Sequence, residues 1–205
     1  MLADKTLKGF LDETASKAPV PGGGSIAAMS AATAAALTEM VANLTIGKKG
    51  YDEVQDEMAE LASTLPNVRN EFIADIDRDA EAFNKVMDAF KMPKETDEEK
   101  AERRQAIQDG MKNAASVPLE VARNAFKIMD FAATVVEKGN KNAVTDGAVA
   151  AMMARTAVLS ALFNVKINLS SIKDEEFVKT VSEEVTQLET KVQEVEKEIL
   201  SKVEL

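Results

Sequence analysis

The chain has no cysteine, no histidine and no tryptophan, and aromatic residues make up only 4% of it. Without cysteine there can be no disulfide framework and no thiolate chemistry, which fits a reducing, cytoplasmic setting. Without histidine the commonest zinc ligand and the commonest acid–base group near neutral pH are both missing. Any chemistry must therefore run on Asp, Glu, Lys, Tyr, Ser, Thr or backbone dipoles, and no metal is expected. Basic excess is lacking too. A net charge of −10 opposes nucleic-acid phosphates, and few aromatics leave no base-stacking platform. The opening MLADKTLKGFLDE holds no apolar core of signal-peptide length. Residues 26–46 could span a bilayer by length, but Glu39, Asn43 and several hydroxyls interrupt an Ala-dominated run. That composition reads as a buried helix rather than a membrane span.

Strand signals are also nearly absent; KINLS, from Lys166, is the only short run that hints at one. What is present is helix. The 205 residues suit one domain with a real core. A first helix is expected from Asp4 to Ser16, stopped by KAPVP. A second opens after Gly22-Gly23-Gly24 and runs to about Thr45, followed by a GKKGY turn. A third spans Asp52 to Phe90, with Pro66 marking a kink or break. Thr96 and Glu99 have capping-box spacing, predicting a helix to Lys138 that Pro118 should kink. Two more are expected, Ala143 to Leu169 and Asp174 to Val203. In the last, Val178, Val181, Val185, Leu188, Val192, Val195 and Ile199 form a narrow stripe. Such a stripe packs on a neighbouring helix or on a second subunit. The expected fold is an all-α antiparallel bundle of about six long helices in a single domain. Small residues on one face of the second helix, Ala27, Ala28, Ala31, Ala34 and Ala35, predict close core packing.

Four places could carry chemistry. Pro21-Gly22-Gly23-Gly24-Ser25 at a helix mouth could present bare N–H groups and a helix dipole to an anion or carbonyl; a tight turn needing positive φ is the plainer reading. The stretch is neither a Walker loop nor a dinucleotide fingerprint. Asp75 and Asp79 lie one turn apart beside Phe72, Phe83 and Val86, where an aspartate could be a desolvated carboxylate serving as general acid or base, or part of a solvated acidic face. In GNKNAVTDG, Asn140 or Asn142 could cap a helix whose first turns hold Asp146, stabilised there as an anion or merely opening the helix. Asn43, Asn164 and Asn168 are amides set in apolar helix, costly to bury unpaired. Asp146 and Asn164 stand roughly 27 Å apart on one continuous helix. They serve opposite ends of a long ligand, or meet through a partner subunit, or one of them is structural.

Taken in order, PGGGS, MVANLT, GKKGY, DAEAFNKVMDAFKMPKET, GNKNAVTD and NVKINL make the chain resemble the cyclodeaminase/cyclohydrolase family of folate enzymes over nearly its whole length. The resemblance implies an all-helical homodimer binding tetrahydrofolate derivatives, with no metal or redox cofactor. It implies conversion of 5-formimidoyltetrahydrofolate to 5,10-methenyltetrahydrofolate and ammonia, or hydrolysis of the methenyl bridge to 10-formyltetrahydrofolate. It assigns acid–base roles to Asp79 and Asp146, and substrate binding to Pro21, Gly22, Gly23, Gly24 and Ser25. Asn43, Asn142 and Asn164 would orient the pterin and amide edges. Lys48 and Lys49 would meet the glutamate carboxylates, or else form a plain solvated turn. A non-enzymatic helical dimerisation module is the alternative; it accounts for the last helix but not for the glycines.

Overall fold

A computed structural model describes residues 1–204. Six α-helices carry them, with no strand among the described residues: α1 Leu7–Thr14, α2 Gly23–Asn43, α3 Gln55–Lys91, α4 Asp97–Lys138, α5 Val144–Leu169 and α6 Glu175–Ser201. Short 3₁₀ turns, Asp52–Val54 and Lys141–Ala143, lead into α3 and α5. The KINLS run, the one strand hint, is the end of α5 instead.

The expected boundaries hold to within a few residues, and local chemistry explains the differences. α1 begins at Leu7 because Thr6 caps it, its hydroxyl accepting from Gly9 N–H at 3.1 Å. Thr96 and Glu99 form the full reciprocal capping box at the head of α4.

Neither internal proline breaks its helix. Pro66 lies inside α3 and Pro118 inside α4. A proline leaves the carbonyl four residues earlier without its helical donor. For Pro118 that carbonyl is Ala114, and Asn168 Nδ2 on α5 donates to it at 2.9 Å. A side chain from the neighbouring helix thus replaces the missing bond. It accounts for one amide that the sequence left as a puzzle.

The α2–α5 helices run antiparallel to their neighbours. Gly23 lies near Asn164 while Leu44 C=O accepts from Asn140, so α2 and α5 are opposed. Arg78 pairs with Glu120 and Lys138 with Glu57, which orients α3 against α4. Ala27, Ala28, Ala31, Ala34 and Ala35 are fully buried, and their small side chains let α2 pack closely on α3 and α5. The α6 stripe packs on α4 and α5 of the same chain, with Val181, Val185, Val192 and Ile199 buried. It is therefore a seam within the chain.

One side of the bundle stays uncovered. α2 and α5 pair with each other, and their outer face turns away from α3 and α4. On α2 the exposed positions include Thr33, Ala36 and Met40, with Leu44 just past its end; on α5 they include Val149, Met152, Thr156, Phe163 and Ile167. No fully exposed residue of α2 carries a charge, and none of α5 does from Thr145 to Phe163. Only 44% of the most apolar stretch of α5 is buried, against 61% for α2, although both helices are long and apolar enough to cross a membrane.

Candidate active site

The head of α2 lacks a side-chain cap of its own: Gly22 takes that position and offers nothing. A residue of α3 supplies what is missing. Ser25 Oγ lies 2.9 Å from Ile76 C=O and 3.1 Å from Asp79 Oδ2, its proton shared between two acceptors on α3. The Asp79 carboxylate sits directly over Gly24. A Cβ built on Gly24 would overlap it, with even the farther oxygen only 2.7 Å away. None of the three glycines has positive φ; only Gly47 and Gly50, in GKKGY, do. The triplet is therefore not a strained turn. It clears room for side chains from α3 and α5.

Gly23 makes the same case on the other flank. A Cβ there would come within 3.0 Å of Asn164 Nδ2. Gly22 would meet only Pro19 C=O, at an ordinary 3.5 Å. Asn164 Nδ2 donates to Ser160 C=O at 2.9 Å, and Asn168 Nδ2 donates to Asn164 C=O at 2.8 Å as well as to Ala114. Both Asn168 protons are thereby engaged, and its Oδ1 remains as an acceptor.

These groups line a cavity of about 320 Å³ walled by Phe83 and Val86 of α3, Met111 and Ala114 of α4, and Asn164, Ile167 and Asn168 of α5. Asp79 is its one ionisable lining residue. Burial pushes the Asp79 carboxyl above the ordinary 3.8, while the Ser25 hydroxyl and backbone pull it part of the way back. A protonated Asp79 can donate to Ser25 Oγ while that hydroxyl donates to Ile76, so the pair accommodates either protonation state. Asp75, one turn earlier, is also raised by burial, with Arg78 at 3.1 Å opposing the shift. It does not line the cavity. The cavity thus offers a proton-exchanging carboxyl, amides and an apolar wall.

The other proposed residues lie elsewhere. Pro21 and Ser25 are buried beneath the loop rather than in the cavity wall. Asn43, expected among buried amides, is exposed at the far end of α2. Lys48, Lys49, Asn142 and Asp146 belong to that far end too. Lys48 Nζ contacts Asn140 Oδ1 at 2.5 Å and lies over the Tyr51 ring, whose hydroxyl accepts from Lys141 N–H at 2.9 Å. Asn140, buried, is the capping amide there, its Oδ1 accepting from Asn142 N–H at 3.1 Å. Asn142 and Lys49 are exposed; Asp146 is half-buried in the first turn of α5, with no side-chain hydrogen bond or ion pair among the described residues. GKKGY and GNKN therefore form one cluster, separate from the cavity.

A family model for formiminotransferase-cyclodeaminase matches residues 6–187. The chain belongs to that family. Among members of the formiminotransferase-cyclodeaminase family, a methenyltetrahydrofolate cyclohydrolase of Methylorubrum extorquens is 44% identical over 86% of this chain and 85% of its own. The formimidoyltransferase-cyclodeaminase of Gallus gallus is 36% identical over 91% of this chain, which spans only 35% of that longer protein. The crystal structure of a formiminotetrahydrofolate cyclodeaminase from Thermotoga maritima matches with a TM-score of 0.88 at 33% identity, covering 99% of this chain and 98% of that one. Met111, Ala114 and Ser171 of the cavity were not singled out from sequence. On α4 the first two look like any other apolar positions, and only packing reveals them.

Proposed function

We propose that this family member is an enzyme of folate one-carbon metabolism, acting at the N5–N10 bridge of tetrahydrofolate from the cavity over Gly23, Gly24 and Asp79. The observation that carries the reading is Asp79, a carboxyl of raised pKa set in a largely apolar cleft beside the side-chain amides of Asn164 and Asn168. Such a group exchanges protons near neutrality better than an exposed one.

Hydrolysis of 5,10-methenyltetrahydrofolate is favoured by the 44% identity to a cyclohydrolase over most of both chains. Water adds to the cationic bridge carbon and its proton passes to the Asp79 carboxylate. The C–N5 bond then breaks, N5 takes up a proton, and 10-formyltetrahydrofolate leaves with one net proton released. Formimidoyl deamination is the second reading, supported by the full-length likeness to the Thermotoga cyclodeaminase. There N10 bonds to the formimidoyl carbon, a proton reaches the terminal nitrogen, and ammonia departs as the methenyl bridge forms. Both routes pass through one tetrahedral carbon and need proton transfer at a nitrogen, which a single carboxyl can provide. Neither calls for a cofactor beyond the folate itself. A cytoplasmic homodimer joined across the uncharged α2–α5 face completes the reading.

Incubation with 5,10-methenyl- and 5-formimidoyltetrahydrofolate in turn, followed by methenyl absorbance, tests it. Loss of the band in the first assay supports hydrolysis, and its appearance in the second supports deamination. No change beyond the uncatalysed rate in either would sink the proposal.

A further inference from the structure

Asn168 differs from the other polar residues of the cavity in having no choice of orientation. Its Nδ2 donates to Ala114 C=O at 2.9 Å and to Asn164 C=O at 2.8 Å. Turned end for end, the amide would set Oδ1 against two carbonyl oxygens, neither of which has a proton to give. Oδ1 itself has no partner among the described residues, and the side chain lines the cavity. It is a fixed acceptor. Asn164, one turn earlier, is less constrained. Its Nδ2 has the single partner Ser160 C=O, which leaves it one N–H donor as well as an acceptor.

The lock depends on a residue of α4 that does not line the cavity. An interior proline is among the most costly residues a helix can hold. Pro118 is buried within α4 and leaves the Ala114 carbonyl without its helical donor. A helical N–H at that position would compete with Asn168 for the carbonyl. Pro118 therefore reaches the cavity only through Ala114 and Asn168.

The acceptor also has a defined place. Asp79 lies over Gly24 and Asn164 faces Gly23. Because α5 runs opposite to α2, Asn168, about 6 Å further along α5, lies past Gly23 on the side away from Gly24. The cavity volume of about 320 Å³ is near the lower limit, roughly 300 Å³, of sites that enclose a small molecule. It suits a bicyclic ring rather than a whole folate.

We infer that Asn168 is a specificity-determining residue whose Oδ1 accepts from a ring-bound amino group of the ligand, with Pro118 as the positioning residue that fixes it. The amino-group assignment rests on the folate reading, in which Asp79 serves the N5–N10 bridge; the locked amide does not. Of the pterin's donors, the 2-amino group lies farthest from N5, across both rings. That matches the place of Asn168 relative to Asp79. An oxo group in the same position would face an oxygen with no proton to offer, so the site selects the amino-substituted ring over its oxo counterpart.

Proton exchange followed by NMR on isotope-labelled protein tests the lock without any ligand. Both Asn168 Nδ2 protons, assigned by their loss in Asn168→Leu, should exchange slowly, and Pro118→Ala should speed at least one of them. Fast exchange of either proton in wild type, or no effect of Pro118→Ala, overturns the lock.

Calorimetric titration with tetrahydrofolate and with its 2-desamino-2-methyl analogue tests the recognition. Wild type should bind the analogue about ten- to a hundred-fold more weakly, since Oδ1 is then left unpaired. Pro118→Ala should weaken tetrahydrofolate binding about three- to ten-fold without lowering Tm, which a merely structural proline would not do. In Asn168→Leu combined with Pro118→Ala, the Ala114 carbonyl regains a helical donor, and the folded protein should bind both compounds alike. Equal binding of the two by wild type, or continued discrimination by the double variant, overturns the inference and leaves the folate reading standing. A wild type that binds neither compound overturns the folate reading and the amino-group assignment together, and proton exchange then decides the lock alone.

Discussion

The carboxylate of Asp79 occupies the space that a side chain on Gly24 would fill. The glycine on α2 and the acid on α3 are complementary, and their contact joins loop, helix terminus and cavity in one unit. The three glycines should consequently respond differently to substitution.

Gly24→Ala should force Asp79 off the helix head and lower kcat by about 10²-fold, the usual consequence of displacing a reacting group by an ångström. Gly22→Ala, whose Cβ meets only Pro19 C=O at 3.5 Å, should fold and turn over normally. Steady-state kinetics on the two variants, with circular dichroism to check folding, makes the comparison. Equal activity in both would show that the carboxylate's seat does not matter.

Asp79→Asn should lose about 10²–10⁴-fold in turnover, the range for removing a general acid or base. The same variant should melt higher than wild type at neutral pH. The native state holds the Asp79 proton more tightly than the unfolded chain does, so its stability declines as pH rises from 3.8 through the raised native value. Above that value the ionised carboxylate is at its most costly. The asparagine lacks this pH dependence, so the gap in Tm should close in acid, at about 2–4 °C per kcal/mol. A variant less stable than wild type at pH 7 would contradict the raised pKa.

Asn168→Leu removes the donor that serves the carbonyl freed by Pro118. A buried acceptor left unpaired costs about 1–3 kcal/mol. Replacing Pro118 with alanine in the same chain restores the helical N–H and should recover part of the loss. Urea unfolding of the two single variants and the double variant measures the coupling.

Arg123 and Glu184 tie α4 to α6 through paired contacts of 2.6 Å. The hydrogen bond from Arg123 holds the Glu184 carboxyl below its ordinary 4.5. Its stabilisation is present above that value and fades as pH falls through the lowered native one, the reverse of Asp79. Since Arg123 is 47% exposed, Arg123→Ala should cost under about 1 kcal/mol, and less in high salt.

Much of the architecture could be read directly from residue spacing. Six helices, the Thr96–Glu99 cap and the alanine face of α2 follow from local periodicity and capping, and these act within a few residues. The α6 stripe showed that it needed a partner, but whether a helix or a subunit covers it depends on distant segments. The prolines show the same limit. Pro118 could be read as freeing the Ala114 carbonyl, but the donor that replaces the lost bond lies fifty residues later on α5.

By itself, the sequence determined the helices, their apolar faces and the types of residue available for chemistry, since each depends on side chains close in the chain. Tertiary structure decided which of those residues meet. It brought Gly24, Asp79 and Asn164 to one cavity and left Lys48 and Asp146 at the far end. Rigid helices fix such distances at about 1.5 Å per residue, and only antiparallel packing converts separation along the chain into contact.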